Sequence, residues 1–310
     1  MNHQERLHLL SQQQFLQARL VAMPDSARIM RINTESWLRS IADRLAEAPV
    51  DEREPARVHL TFRGHPVRGS HGILANFAMK AVNGFSVAVT TLAASLTTPL
   101  ASGGPLPNKE QHQLLITNTA LGSFGFELEE SGSGQLLEEQ STIAVALEST
   151  RKLLQCSIEP DNDELLADAV AGIDPRALDK IRDFVKTLAE NEATCALQIG
   201  ERAPFQFNNL GEVRTSLDRL SNDNVRSEEQ GVTGVFQGAL PGSRTFEFKP
   251  EGDRLFIIGK IGPGIVDPDE INDHLQQRAH IKWLVTTVGR GRPRYVLLEP
   301  PAWLAEDSAD

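Results

Sequence analysis

A charge-free stretch from Ala81 to Asn108 limits the folds open to this chain more than any other feature. From Ile73 to Leu96 the apolar residues recur at helical intervals, so the sequence predicts one long helix there. The stretch is rich in Thr, Ser, Gly and Ala and is interrupted by Gly84 and Pro99, whereas a membrane span needs about 20 mostly large apolar residues. We therefore expect a core helix and no membrane partner.

The residues that precede this helix form the best candidate for a binding site. The run 57–62 predicts a strand, and the turn 63–72 that follows is rich in glycine, arginine and histidine and contains no acidic residue. Free backbone N–H groups and the helix dipole favour an anion where a helix begins. The sequence predicts an anion site made by Arg63, Arg68, Ser70 and His71.

The same turn is not a P-loop. Gly64 and Gly69 have the Walker A spacing, but Ser70 stands where the phosphate-binding lysine belongs and His71 stands where Ser or Thr belongs. Two other interpretations remain open. The basic side chains could be solvated or paired with distant acids, or His65 and His71 could act with a carboxylate from 127–130 in an enzyme that cleaves phosphoesters.

The charge of the chain is concentrated in one block. The formal net charge is −11, and residues 127–192 alone carry 16 acidic against 6 basic residues. This pattern excludes nonspecific binding of nucleic acid over the whole surface, but it leaves room for a local basic patch. The acidic helices expected over 135–192 are a candidate surface for a protein partner.

Cysteine usage and missing motifs narrow the chemistry. The two cysteines, Cys156 and Cys195, are far apart and lie in apolar surroundings, so neither a disulfide framework nor a CxxC metal site is expected. The N-terminus carries no secretion signal, and a cytoplasmic location fits best. No hydrolase, zinc, EF-hand or dinucleotide signature occurs. We therefore predict no metal and no cofactor, and the catalytic residues, if any, are unknown.

Two domains are expected in a chain of this length. Residues 1–222 predict a mixed α/β domain, with a third acidic helix starting at Asp174-Pro175 and a helix over 210–220. Residues 226–299 predict three strands, a short helix over 267–275 and two more strands. That order resembles an OB-fold, a five-stranded Greek-key barrel, and an SH3-like barrel is the alternative. The fold class is α+β, and residues 300–310 are expected to form a flexible tail.

The loop between the last two predicted strands is the second candidate site. It contains three arginines next to the only tyrosine of the chain: Arg290, Arg292, Arg294 and Tyr295. In an OB-like barrel the loop between the fourth and fifth strands is a usual contact loop, which favours contact with nucleic acid or a partner. Packing of the barrel on its own N-terminal domain explains the same residues equally well.

These observations predict a non-enzymatic cytosolic binding or adaptor protein. It would contact an anionic ligand, a nucleotide or nucleic acid through the basic turn and the arginine loop, and a protein partner through the acidic helices. The overall character of the sequence suggests a bacterial protein that acts as a subunit of a defence or stress complex. The phosphoesterase described above is the alternative.

Overall fold

The computed structural model describes residues 3–24, 27–47, 55–120, 124–131, 141–159, 162–200, 203–252 and 255–304. Within these ranges the helices are α1 His3–Ala22, α2 Arg28–Glu47, α3 Ala75–Thr97, α4 Thr142–Ser157, α5 Asp163–Val170, α6 Pro175–Glu190 and α7 Leu210–Arg219. The strands are β1 Arg57–Gly64, β2 Val67–Arg68, β3 Gly72–Ile73, β4 Leu114–Ala120, β5 Phe124–Glu130, β6 Ala193–Ile199, β7 Phe205–Gln206, β8 Val225–Leu240, β9 Thr245–Pro250, β10 Ile257–Ile261, β11 Arg278–Val288, β12 Arg294–Leu297 and β13 Ala302–Trp303.

The first domain is an antiparallel five-stranded sheet with helices on one face. Its strand order is β4-β5-β1-β6-β7, which places β1 at the centre. Strand alternation turns Val58, Leu60 and Phe62 to one side, where all three are fully buried. Phe62 meets Phe77 of α3 edge to face, with ring centroids 5.3 Å apart. The helical layer therefore covers the apolar face of the sheet.

Helix α3 is the core helix expected from the charge-free stretch. It packs against α4 and α6, and its Phe85 contacts Phe184 of α6 with ring centroids 5.5 Å apart. Among the described residues α3 alone is long and apolar enough to cross a membrane by length and composition, and 67% of its most apolar window is buried inside the protein. The core helix of a soluble protein can have the same length and composition, so these two properties are weak evidence of a membrane span.

The C-terminal region, which the sequence predicts to be the second domain, forms a closed barrel of five strands in the order β8-β9-β10-β12-β11, completed by pairing of β11 with β8. The fifth strand, β12, lies between the third and the fourth and runs parallel to the third. This Greek-key order favours the OB-like alternative over the SH3-like one. The barrel core is aromatic and is built around Phe236, Phe246, Phe248 and Trp283. The predicted fold class, α+β with a small C-terminal barrel, is confirmed.

Local signals placed several helices correctly. Helix α6 begins at Pro175, and the Asp174 side chain accepts a hydrogen bond from the Arg176 N–H at 2.9 Å. Helix α7 covers the predicted range. The helix expected over 267–275 is a 3-10 helix, Pro268–His274, capped by Asp267.

The junction between the domains is short and hydrogen-bonded. The N–H of Val225 donates to the carbonyl of Ser221 at 2.8 Å, and the N–H of Gly289 donates to the carbonyl of Asn224 at 2.8 Å. Val225 and Val288, at the end of the β8–β11 pair, are buried in the core of the first domain rather than in that of the barrel. This end of the barrel is therefore fixed to the first domain.

The end of the chain departs from the expected tail. Ala302 and Trp303 form β13, which pairs with β11. The Trp303 ring stacks on His274 with centroids 4.5 Å apart. Residues 300–304 are thus held against the barrel, and 305–310 lie outside the described residues.

Candidate functional site

The basic turn is a small β-hairpin rather than a direct entry into the helix. Strands β2 and β3 pair Arg68 with Gly72, and the N–H of His71 donates to the carbonyl of Arg68 at 3.1 Å. Helix α3 begins at Ala75, and its cap residue Leu74 supplies no side-chain hydrogen bond. The first N–H groups of α3 therefore lie beyond the hairpin.

The structure brings three of the four predicted anion-binding residues together. Arg68, Ser70 and His71 are exposed in one hairpin. Arg63 is exposed on β1, and strand alternation turns it to the face opposite Phe62, whereas α3 covers the Phe62 face. None of the four side chains has a hydrogen bond or ion pair with a residue that the structure describes. The anion site at this turn stays a prediction.

The carboxylates of 127–130 contact other partners than the two turn histidines. Glu127 Oε1 lies 3.8 Å from His59 Nε2, and Glu129 Oε2 lies 3.2 Å from Arg57 Nε. Glu130 Oε2 accepts the backbone N–H of Ala56 at 3.2 Å. None of these described contacts supports the phosphoesterase interpretation.

The arginine loop docks on α5. Arg294 reaches Glu164 and Asp168 at 2.6 Å each, and the backbone N–H of Arg292 donates to Glu164 at 3.2 Å. The Arg294 hydrogen bond, followed by the Arg292 N–H, lowers the pKa of the Glu164 carboxyl. Arg294 is therefore used within the chain, between the barrel and the first domain.

The other three residues of the predicted arginine-loop site differ in exposure. Tyr295 is half-buried and packs on Trp283, with ring centroids 4.8 Å apart. The Arg290 and Arg292 side chains are exposed and form no hydrogen bond or ion pair with a described residue, although the charge of Arg292 contributes to the lowered pKa of Glu164. They remain the part of the predicted contact surface that is free.

The acidic helical block is partly neutralised by the chain itself. Besides the Arg294 pairs, Asp163 lies 3.2 Å from Arg219, and Asp179 lies 2.6 Å from Arg182. Binding of a partner through this block stays a prediction, and it would use the carboxylates that remain unpaired.

Sequence reasoning missed a cleft of about 1040 Å³ that is lined by both the first domain and the barrel. Residues 95–99 at the end of α3 line it, together with the segment 171–175 that leads into α6. The barrel contributes the end of strand β10 and the loop 262–266, and further lining residues come from 108–112 and 141–142. We refer to it below as the interdomain cleft.

Most charged groups of the interdomain cleft are committed to its framework. Arg244 donates to three carbonyls of the loop, those of Ile261 at 3.2 Å, Gly262 at 2.6 Å and Ile265 at 2.8 Å. Asp174 caps α6, and its burial raises the pKa of its carboxyl. Glu130 accepts a backbone N–H, as described above.

Lys260 is the exception. It is an exposed residue of β10 that lines the cleft, and it has no hydrogen bond or ion pair with any described residue. Its Nζ lies 3.6 Å from the position that a Cβ on Gly172 would occupy, which places the ammonium group near the segment that leads into α6. The cleft therefore has one uncommitted charge, and that charge is positive.

His112 adds a buried polar group to the same cleft. The residue is 4% exposed, and its Nδ1 lies 3.2 Å from Thr142 Oγ1, while no described atom partners its Nε2. Burial lowers the pKa of the imidazole, so the ring is neutral at pH 7 and can donate or accept through Nε2. A buried polar atom without a protein partner favours a ligand or a water beside it.

The chain was compared with protein-family models, curated proteins and solved structures. It matches none of them. Among the described residues no group of three or more His, Cys, Asp or Glu side chains could hold a metal ion.

Proposed function

We propose that this protein binds an organic anion in the interdomain cleft, with Lys260 as the charge that holds it. The observation that carries the proposal is the difference in hydrogen bonding described above: both cleft carboxylates accept backbone N–H groups and Arg244 donates to carbonyls, whereas Lys260 has no partner among the described residues. An anionic group in the cleft would give the Lys260 ammonium group a charged partner.

The size and lining of the cleft narrow the ligand class. Ligand sites commonly enclose about 300–1,000 Å³, so this cleft fits a molecule of nucleotide or short acyl-chain size. Apolar side chains share the walls with hydroxyl groups, for example Leu96, Ile265 and Val266 with Thr97 and Thr142. These features fit a ligand that has apolar parts, has groups able to hydrogen-bond to hydroxyls, and ends in one carboxylate or phosphate.

A binding role fits the cleft better than a catalytic one. The Thr142–His112 contact is a hydroxyl beside an imidazole, the arrangement with which a nucleophile is activated. A catalytic base also needs a third group that orients it, and Nε2 of His112 has no such partner among the described residues. This supports the non-enzymatic class inferred from the sequence.

Removing the charge of Lys260 should weaken binding of the anion. Octanoate and AMP serve as the two probes, because octanoate presents a carboxylate on an alkyl chain and AMP presents a phosphate on a nucleoside. A charge-assisted hydrogen bond contributes about 1.5–3 kcal/mol, so Lys260→Ala should raise the dissociation constant of the probe that binds roughly ten- to a hundredfold, measured by isothermal titration calorimetry.

Lys249→Ala is the matched control. Lys249 is an exposed lysine on the neighbouring strand β9, stacked 5.7 Å from the centroid of the Phe256 ring and outside the cleft lining. Its substitution should leave the dissociation constant within about twofold. Equal losses in the two lysine variants would mean that the anion is held by general surface charge and not by the cleft.

A further inference from the structure

The α1–α2 hairpin has a small core for its size. Each helix has 20 residues, yet among the side chains that the structure describes the apolar ones buried between them are Leu9, Leu16 and Ile41, with Leu38 and Leu45 half-buried beside them. Helical stability in proteins comes mostly from packing of an apolar face. Packing between α1 and α2 alone is therefore a small source of stability for two helices of this length.

Three of the exposed large apolar side chains of the hairpin lie on one face next to that core, while others are exposed elsewhere on it. Met30 and Trp37 are seven residues apart on a single stripe of α2, and they are 56% and 59% exposed. That stripe borders the buried Thr34 and Ile41. On the antiparallel α1, helical geometry turns Phe15, 65% exposed, to the same side of the hairpin. We call Phe15, Met30 and Trp37 the hairpin face.

The charge of the hairpin suggests which partner covers this face. Residues 3–47 carry six arginines and five acidic residues, whereas the rest of the chain carries 25 basic against 37 acidic residues. The hairpin is therefore close to neutral in a strongly acidic protein. Two such hairpins can approach each other without the repulsion that the acidic bodies would produce.

We propose that a second copy of this chain covers the hairpin face, so that two hairpins form a four-helix bundle. Closed twofold pairs are the commonest oligomers and use the same patch on both copies. A 20-residue helix is about 30 Å long, and a face of that length two helices wide has the order of area, about 800 Å² per partner, that a standard interface buries. This inference is independent of the interdomain cleft.

The full chain at micromolar concentration should elute as a dimer in size-exclusion chromatography with light scattering. Phe15→Glu and Trp37→Glu should each raise the dimer dissociation constant at least about a hundredfold, because a symmetric interface would bury the new charge twice. Both positions are exposed in the single chain, so far-ultraviolet circular dichroism should be unchanged. That readout separates loss of the dimer from loss of the fold.

Ile32→Glu is the control, since Ile32 is 64% exposed on the opposite side of α2. This variant should remain a dimer. The proposal is overturned if the unmodified chain is a monomer throughout the micromolar range, or if Ile32→Glu dissociates it as strongly as the other two variants. Sedimentation of a monomeric chain with vesicles of anionic phospholipid would assign the hairpin face to a membrane surface instead.

Discussion

Phe184→Ala should lower the free energy of unfolding by about 3–5 kcal/mol, the usual cost of removing a buried phenyl ring. Phe184 is fully buried on α6, its ring contacts Phe85 of α3, and its Cα would lie 3.8 Å from a Cβ built on Gly84. The loss combines the transfer of the ring to water with the cavity that remains between the two helices. Chemical denaturation followed by circular dichroism measures it.

Phe256→Ala is the comparison for this prediction. Phe256 is 56% exposed, and its ring contacts one lysine, so its removal should cost less than about 1 kcal/mol. If the two phenylalanine variants were equally stable, α3 and α6 would not form the core of the first domain.

Gly64→Ala should destabilise the protein by at least about 3 kcal/mol, because two separate penalties coincide. Gly64 has φ +112°, which L residues rarely adopt, and this backbone strain alone costs about 1–3 kcal/mol. In addition, a Cβ at this position would lie 2.2 Å from the carbonyl oxygen of Glu192, and a backbone atom cannot move aside cheaply. Thermal unfolding by calorimetry measures the change.

Two further glycines separate the strain from the clash. Gly104 has φ +91° with no atom near its Cβ position, so Gly104→Ala should cost only the strain. Gly103 has neither feature, and Gly103→Ala should be nearly neutral. A Gly64→Ala variant no less stable than Gly104→Ala would mean that β1 does not approach residue 192 as described.

Patterns within one element were enough to predict much of the fold. Helical spacing over a charge-free stretch indicated α3, and an aspartate before a proline indicated the start of α6 at Pro175. The order of strands and helix after residue 226 indicated the barrel. Each of these signals is carried by neighbouring residues, so no tertiary contact is needed to interpret it.

The contacts between distant segments could not be predicted in this way. Arg294 pairs with Asp168 and Glu164, which are 126 and 130 residues away in the chain, and no local pattern indicates such a partner. The helix expected near Gly72 begins at Ala75, because the intervening residues form two-residue strands that are too short to show a period of two.

The interdomain cleft was missed for the same reason. Its lining comes from α3, from the approach to α6 and from β10, and Lys260 is one outward residue of an alternating strand. Arg244 has a positive φ of 48°, which is uncommon for a residue other than glycine and marks a constrained loop. Because φ is known only from the structure, the sequence carries no sign of it. The basic turn could be recognised in the sequence because its arginines and histidines lie within a few residues of each other.

A methyl-resolved NMR titration of the full chain with octanoate and with AMP would show directly whether an anion binds in the interdomain cleft. We expect saturable shifts at Leu96, Ile265 and Val266, which line the cleft, and none at Ile116 and Ile258, which lie outside its lining. The same shifts should be absent in Lys260→Ala at equal probe concentration. Saturable binding that leaves the methyl groups of the three cleft residues unmoved, or shifts that persist fully in Lys260→Ala, would mean that the cleft with Lys260 is not the anion site.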